Sequence, residues 1–457
     1  MFSKEIYIQR RALLKKEMKS GILLFLGNDE CGLNYEDNTF RFRQDSSFLY
    51  YFGLPFAGLS AIIDVDEDRE MIFGNELTID DIVWMGTQPT LFEKANMVGI
   101  SEIRPSKDVV SYLHQAVRKG QAIHYLPPYR PEHRLKLLDW LGLPPAHQEG
   151  SIQFIQAIVK QRNHKSPEEV EEIEKACNVT AEMHLTAMKM LRPGIYESDV
   201  VAAMEAVATA KNYELSFATI ATVNGQTLHN HAHKNLVKDG DLFLIDAGAE
   251  TEMGYAGDMS STVCAGKKFT ERQKMMIRIQ NEMYDEAVKV LRPGIPYVDV
   301  YNLSARVMIE RMKEIGLMKG NTDDAIECGA FAMFYPHGLG HMMGLDVHDM
   351  ENLGEIWVGY NGKPKSSIFG KKSLRLAIPL EPGFVHTIEP GIYFIPELID
   401  KWRGEKKFME FINYEMLETF KDFGGIRNES DYLITETGSH RLGKIVPKSP
   451  EEIEALR

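Results

Sequence analysis

The chain carries carboxylates and imidazoles in contexts suited to metal or acid–base chemistry. Asp241-Leu-Phe-Leu-Ile-Asp246-Ala-Gly runs an apolar strand straight into a carboxylate. A buried, unpaired carboxylate is costly or shifts its pKa, so it calls for a metal, a cation or a strong hydrogen-bond donor. Twelve residues on, Gly254-Tyr-Ala-Gly-Asp258-Met-Ser-Ser-Thr repeats the situation. Either aspartate alone reads as a turn or cap residue. At the ends of two adjacent strands joined by a short connection, the pair converges on one point. His337-Gly-Leu-Gly-His341-Met-Met-Gly-Leu-Asp-Val-His348 then places three histidines in twelve positions, and imidazole is the commonest protein metal ligand. The four-residue spacing of His337 and His341 is that of the helical His-Glu-x-x-His zinc motif, but position 338 is Gly where that motif needs its catalytic Glu. Gly338, Gly340 and Gly344 miss the dinucleotide fingerprint by one residue and are expected to let the backbone bend closely around a site. His386-Thr-Ile-Glu389-Pro-Gly-Ile-Tyr393 and Gly424-Gly-Ile-Arg-Asn-Glu429 add two acids in apolar, glycine-flanked settings. Glu381 opens a Pro-Gly turn, whereas Glu389 ends the strand Phe384-Val-His-Thr-Ile, so Glu389 is the chosen acid.

These residues need elements to hold them. Ser166-Pro167-Glu168-Glu169 is a capping box with Pro at the first helical position, and it predicts a long helix to about Leu191. Leu191-Arg-Pro-Gly-Ile195 recurs 100 residues later as Leu291-Arg-Pro-Gly-Ile295, each followed by Asp-Val (Asp199-Val200 and Asp299-Val300). That period is too long for a solenoid. It predicts a duplicated half-domain of helix, turn, helix and strands, with a cleft between the halves. Before it, Gly21 to Gly27, Leu59-Ser-Ala-Ile-Ile-Asp and Ala122 to Leu126 read as strands of a smaller α/β domain. The expected division is 1–160 and 161–457, with the boundary between Glu149 and Ser166; 457 residues are too many for one ordinary core.

Composition excludes other classes. Hydrophobic residues at 44% and charged residues at 26% are those of a globular protein rather than a disordered or collagenous one. With 52 Lys+Arg against 66 Asp+Glu the net charge is −14, which argues against nucleic acid or an anionic membrane as partner. Four cysteines with no CxxC pair point to a reduced compartment. The charged N-terminus and the short Gly21–Gly27 run suit neither export nor membrane spanning, so a cytoplasmic location is expected.

Five of these segments, Ile245-Asp-Ala-Gly, Tyr255-Ala-Gly-Asp, His337-Gly-Leu-Gly-His341, Thr387-Ile-Glu-Pro-Gly and Ile426-Arg-Asn-Glu, resemble in order and context the ligand motifs of the pita-bread metallopeptidases, in the aminopeptidase P and prolidase branch. Arg41-Phe-Arg-Gln-Asp-Ser-Ser-Phe-Leu-Tyr is similar to the signature of that branch's N-terminal domain. The resemblance implies an α/β (α+β) fold: a creatinase-like N-terminal domain, then a pita-bread domain whose pseudo-twofold is the 100-residue repeat. It implies two divalent ions, Asp246 on one, His341 and Glu389 on the other, with Asp258 and Glu429 bridging. Four carboxylates and one imidazole without a thiolate favour Mn²⁺, with Co²⁺ or Zn²⁺ as substitutes. It further implies Glu389 as proton shuttle, His229 and His348 as hydrogen-bond donors to substrate and its tetrahedral intermediate, His337 near the proline pocket, and a homodimer.

The branch acts on Xaa-Pro bonds, and the resemblance is nearer to prolidase. Gly362 to Arg375 carries five cations and no acid, and Ser373-Leu-Arg375 resembles the segment whose arginine grips a dipeptide's carboxylate; Arg427 resembles a second such residue. A cation at that place rewards a C-terminus directly after proline, whereas a longer peptide puts an uncharged amide there. The reading is therefore an Xaa-Pro dipeptidase, with aminopeptidase P activity on longer peptides as the alternative. A non-catalytic pita-bread binding protein would lack ligands that are present here. Asn428 and Ser430 depart from the branch's usual pattern around Glu429.

Overall fold

The computed structural model describes residues 1–457, which form two compact units: Met1–Arg162 with Met350–Trp357, and Asn163–Asp349 with Val358–Arg457. The helix Ile152–Asn163 runs through the end of the first unit, and Met350–Trp357 is a late excursion that belongs with the first unit. No helix is long and apolar enough to cross a membrane.

In the first unit β1 (Ile22–Leu26), β2 (Ser60–Asp64), β3 (Arg69–Phe73), β4 (Glu102–Arg104) and β5 (Ile123–His124) form one mixed sheet in the order β4-β3-β2-β1-β5. The three apolar runs read as strands lie in it as β1, β2 and β5. β1 and β2 are buried at every position, as strands covered on both faces must be.

In the second unit α1 (Pro167–Met190) starts at the predicted box: the Ser166 side chain accepts from Glu169 N, and the Glu169 carboxylate accepts from Ser166 N. Thr270 and Gln273 build the same box at the start of α3 (Glu271–Lys289). Each long helix packs against the next, α1 on α2 (Glu197–Thr209) and α3 on α4 (Tyr297–Glu314). The connecting turns need Gly194 and Gly294, at φ 89° and 85°, a region where an L side chain clashes. Both turns are pinned alike. Gly194 N donates to Val237 O at 2.9 Å and Gly294 N to Leu380 O at 2.8 Å, while Val237 N and Leu380 N return bonds to Ile195 O and Ile295 O.

That register carries the symmetry to the strands. β6 (Ile220–Thr222), β7 (Leu242–Ala247) and β8 (Met259–Cys264) form one three-stranded sheet, ordered β8-β7-β6. β9 (Val385–Ile388), β12 (Ser430–Ile434) and β13 (Ser439–Arg441) form the other, while β10 (Gly391–Tyr393) pairs with β11 (Gly425–Arg427). Asp246 lies nine residues after Val237, and Glu389 nine after Leu380. Asp246 faces Ser260 across β7–β8, and Ile388 faces Ser430 across β9–β12. Each half therefore delivers one carboxylate at a strand's end and another just before its antiparallel partner. This is the duplicated half-domain that the repeat predicts.

Candidate metal centre

All ten residues singled out from the sequence line one cavity of ≈ 280 Å³: His229, Asp246, Asp258, His337, His341, His348, Arg375, Glu389, Arg427 and Glu429. Its apolar wall includes Phe217, Ile220, Leu228 and Val347. Glu381 lies elsewhere, exposed and against His164 Nε2 at 2.9 Å.

The His337–His341 segment reaches the cavity as an added strand along β9. Thr387 N donates to His341 O at 3.0 Å and Glu389 N to Leu339 O at 2.8 Å, while His341 N donates to Thr387 Oγ1. Glycine permits this approach. A Cβ on Gly340 would stand 2.2 Å from Thr387 O and 2.3 Å from Tyr297 Oη, and one on Gly338 would stand 2.8 Å from Leu374 Cα. Gly338 thus seats Ser373-Leu374 against the histidine segment, which brings Arg375 to the cavity.

Asp258, His341 and Glu429, all buried, offer ligand atoms within 4.8 Å of one another. His341 Nδ1 lies 3.0 Å from Met342 O; a carbonyl only accepts, so Nδ1 carries the proton and the Nε2 lone pair faces the acids. Nε2 stands 3.4 Å from Asp258 Oδ2 and 3.8 Å from Glu389 Oε1. Burial, then neighbouring His348, holds His341 well below its ordinary pKa, so the neutral ring turns a lone pair toward the acids. Burial and the surrounding acids, Glu429 first, push Asp258 well up, and burial with Glu389 and Asp246 does the same for Glu429. Asp246 Oδ1 and Asp258 Oδ1 are buried without partners. Orphaned oxygens, a neutral imidazole aimed at them and mutual carboxylate repulsion are what divalent cations relieve, so these residues fit a metal site.

Further side chains fix the candidate ligands. Arg427 donates to Asp246 Oδ2 at 2.5 Å, to Tyr393 Oη at 2.6 Å and to Ser260 Oγ at 2.8 Å, and Ser260 donates to Glu429 Oε2 at 2.6 Å. The guanidinium read as a carboxylate grip is therefore anchored on Asp246, with only its remaining Nη protons left for a substrate. Tyr393 accepts from Arg427 and lies 3.0 Å from His337 Nε2, while His337 Nδ1 faces Gly338 O at 2.7 Å. Burial and Arg427 lower the His337 pKa to about 3, so the ring is neutral, with Nδ1 protonated and Nε2 accepting. The His348 ring stands edge-on to His341 with centroids 4.3 Å apart. His229 is exposed to the cavity, its pKa lowered by partial burial and Arg427.

Sequence reasoning left Ser260 and Tyr393 without roles. Ser260 sits two residues beyond Asp258, hence on the same strand face, and that spacing was the available signal. Asn428, a departure from the pattern, donates to Gln280 Oε1 and Asn281 Oδ1 of α3 at 2.7 and 2.8 Å. This chain thus supplies polar partners for its polar replacement.

Comparison with known proteins agrees with this architecture. Residues 171–436 match the model of metallopeptidase family M24, and residues 7–124 match the aminopeptidase P N-terminal domain. The Xaa-Pro dipeptidase of Rattus norvegicus is 29% identical, over 98% of this chain and 92% of that protein. The Xaa-Pro aminopeptidase of Escherichia coli is also 29% identical, over 99% and 98%. Among solved structures, a variant of Escherichia coli aminopeptidase P superposes with a TM-score of 0.82 at 27% identity, over 100% of this chain and 98% of that one. The Pseudomonas aeruginosa aminopeptidase PepP gives 0.82 at 26% identity over the same shares. With its two-domain order, its duplicated halves and a carboxylate–imidazole cluster between matched strands, the chain belongs to metallopeptidase family M24.

Proposed function

We propose that the protein hydrolyses the peptide bond before proline, releasing the residue on its N-terminal side, and favours Xaa-Pro dipeptides. The observation that carries the dipeptide preference is Arg375, a cation in the same cavity as the carboxylate cluster. The names of the curated relatives support the bond specificity.

In this reading Asp246, Asp258, His341, Glu389 and Glu429 hold two divalent ions, Mn²⁺ by the oxygen-rich donor set. Such ions supply Lewis acidity, activating water at neutral pH and polarising a carbonyl. Arg375 pairs with the dipeptide's terminal carboxylate. His229 and His348 donate hydrogen bonds to the scissile carbonyl oxygen as charge develops on it. Glu389 takes a proton from the attacking water and delivers it to the proline nitrogen as the C–N bond breaks.

Rates on Ala-Pro and Ala-Pro-Ala with added Mn²⁺ test the preference. Ala-Pro is expected to be the better substrate, and Arg375→Ala to raise its KM about 10- to 100-fold, the worth of one charge-assisted bond of about 1.5–3 kcal/mol. Faster turnover of the tripeptide, untouched by Arg375→Ala, would instead make the protein an aminopeptidase P, the activity named for the Escherichia coli relative that spans nearly the same length.

Metal removal gives a pH-dependent signature. Burial pushes Glu389 and Asp431 up to about 7 in the metal-free protein, and Asp258 and Glu429 also stand well above the usual carboxylate range. The folded state then binds protons that the unfolded chain has released, so stability is full below about pH 4 and falls as pH rises through 7. Chelation is expected to lower Tm strongly at pH 8 and little at pH 5. Equal losses at both would contradict the site.

The reading extends to a cytoplasmic homodimer. Four unpaired cysteines support the compartment. The helix Ile79–Met85 exposes Ile79, Val83, Trp84 and Met85, an apolar face suited to a partner copy, and analytical ultracentrifugation decides whether the protein is a dimer.

A further inference from the structure

Asp431 is fully buried yet absent from the lining of the cavity, so its carboxylate meets neither substrate nor the metal cluster directly. One oxygen, Oδ2, accepts two donors: the Asp258 backbone N–H at 3.1 Å and the Cys177 thiol of α1 at 3.0 Å. The other, Oδ1, has no partner. A buried carboxylate with an orphaned oxygen costs stability that an apolar residue would not, which points to a use for the bonds it does make. Its backbone lies in β12 opposite Thr387 of β9, whose hydroxyl accepts from His341 N. Its side chain reaches across to the first half, at the entry to β8.

Among the bonds that cross between these halves, three bear on the Asp258 and Glu429 backbone and carboxylates. Glu429 N donates to Ser260 O at 3.0 Å, Ser260 Oγ donates to Glu429 Oε2, and Asp431 receives Asp258 N. The first two hold Glu429 against β8 and do not reach the peptide that links Gly257 to Asp258, whose carbonyl accepts from Ser216 Oγ at 2.8 Å. The third holds the N–H end of that peptide from the other half, and so bears on the direction of the Asp258 Cα–Cβ bond. We propose that Asp431, itself steadied by Cys177, is a positioning residue that sets the separation of the Asp258 and Glu429 carboxylates across the pseudo-twofold. It thereby tunes divalent-ion affinity without touching the ion. This rests on the reading of Asp258 and Glu429 as ligands.

The test is Mn²⁺ binding to the purified, metal-stripped full-length protein, followed through the electron paramagnetic resonance signal of free Mn²⁺. Asp431→Ala is expected to weaken binding by about 10-fold or more, in the range found when groups that orient metal ligands are removed. Asp431→Asn, whose carboxamide oxygen accepts the same two donors, is expected to stay within about 3-fold of the native protein, a rescue that a role through charge would not give. Cys177→Ala, which leaves the Asp258 bond in place, is expected to fall between them. Native affinity in Asp431→Ala, or a loss in Asp431→Asn as large as in Asp431→Ala, overturns the proposal. If Asp431→Ala does not fold, the other two variants decide: Asp431→Asn near native affinity supports it, and a 10-fold loss there overturns it. Asp258→Asn in the same assay separates the two readings, because undiminished Mn²⁺ binding in that variant would refute the ligand set rather than the positioning role.

Discussion

Asp258→Asn is expected to lower kcat/KM by at least about 10³-fold while the metal-free variant becomes more stable than the native protein. On the proposed ligand set a neutral carboxamide at Asp258 would remove a bridging ligand, so the loss should exceed the 10- to 100-fold seen when only an outer partner of a ligand is lost. The stability change has the opposite sign for an electrostatic reason. Burial first, then neighbouring Glu429, Asp246, Asp431 and Glu389, push the Asp258 pKa up, so a neutral isostere avoids the desolvation and repulsion that the charged form meets in the empty cluster. Its Oδ1 has no hydrogen-bond partner to lose, and the bond from its backbone N–H to Asp431 does not depend on the side chain. Thermal melts with and without Mn²⁺ check this: the variant's metal-free Tm should rise by a few °C, and Mn²⁺ should add much less than it adds to the native protein. A lowered metal-free Tm would mean that activity was lost through misfolding, and full peptidase activity would contradict the two-metal reading.

The ligand candidates could be read in the sequence because each breaks a local rule that a single segment displays. Asp246 and Glu389 are acids at the end of apolar strands, and His341 sits among glycines whose missing Cβ atoms make room for β9. The duplication was readable for a similar reason: both copies need a glycine at positive φ after the first helix, so Pro-Gly recurs in each. Roles that depend on strand register across the halves left no such mark. Arg427 reaches Asp246 from 181 residues away and Asp431 takes a thiol from Cys177 at a separation of 254. Neither spacing exists until the two halves have docked. Arg427 therefore resembled a substrate residue, while three of its bonds go to the protein. The return of Met350–Trp357 to the first unit was hidden too, since nothing in that short segment marks which core it joins.

Glu389→Gln is expected to cut kcat by about 10²- to 10⁴-fold, the range of general acid–base catalysis, with KM for Ala-Pro far less affected. Among the four carboxylates Glu389 is the least tethered, as the proposed proton transfer requires. Asp246 is tied to Arg427, Glu429 to Ser260, and Asp258 is buried deeper, with 7% of its side chain exposed against 17% for Glu389. The Glu389 carboxylate meets only imidazoles, His337 Nδ1 at 3.6 Å and His341 Nε2 at 3.8 Å, and neither holds it by a hydrogen bond. Its pKa supports the role. Burial lifts it to about 7 in the metal-free cluster while Arg427 and Arg375 pull it down, and bound cations would lower it further, since they favour the charged form. As a base Glu389 must be ionised, so the native kcat should rise with pH along an acidic limb that ends below 7. In Glu389→Gln the residual rate should lose that limb. Arg375→Ala should move it to higher pH, because one of the cations holding the carboxylate ionised is gone. Metal content must be measured alongside, because Gln also weakens a ligand. A variant that keeps both ions yet loses kcat and its acidic limb places the proton transfer on Glu389, and one that regains full kcat at saturating Mn²⁺ leaves Glu389 as a ligand alone.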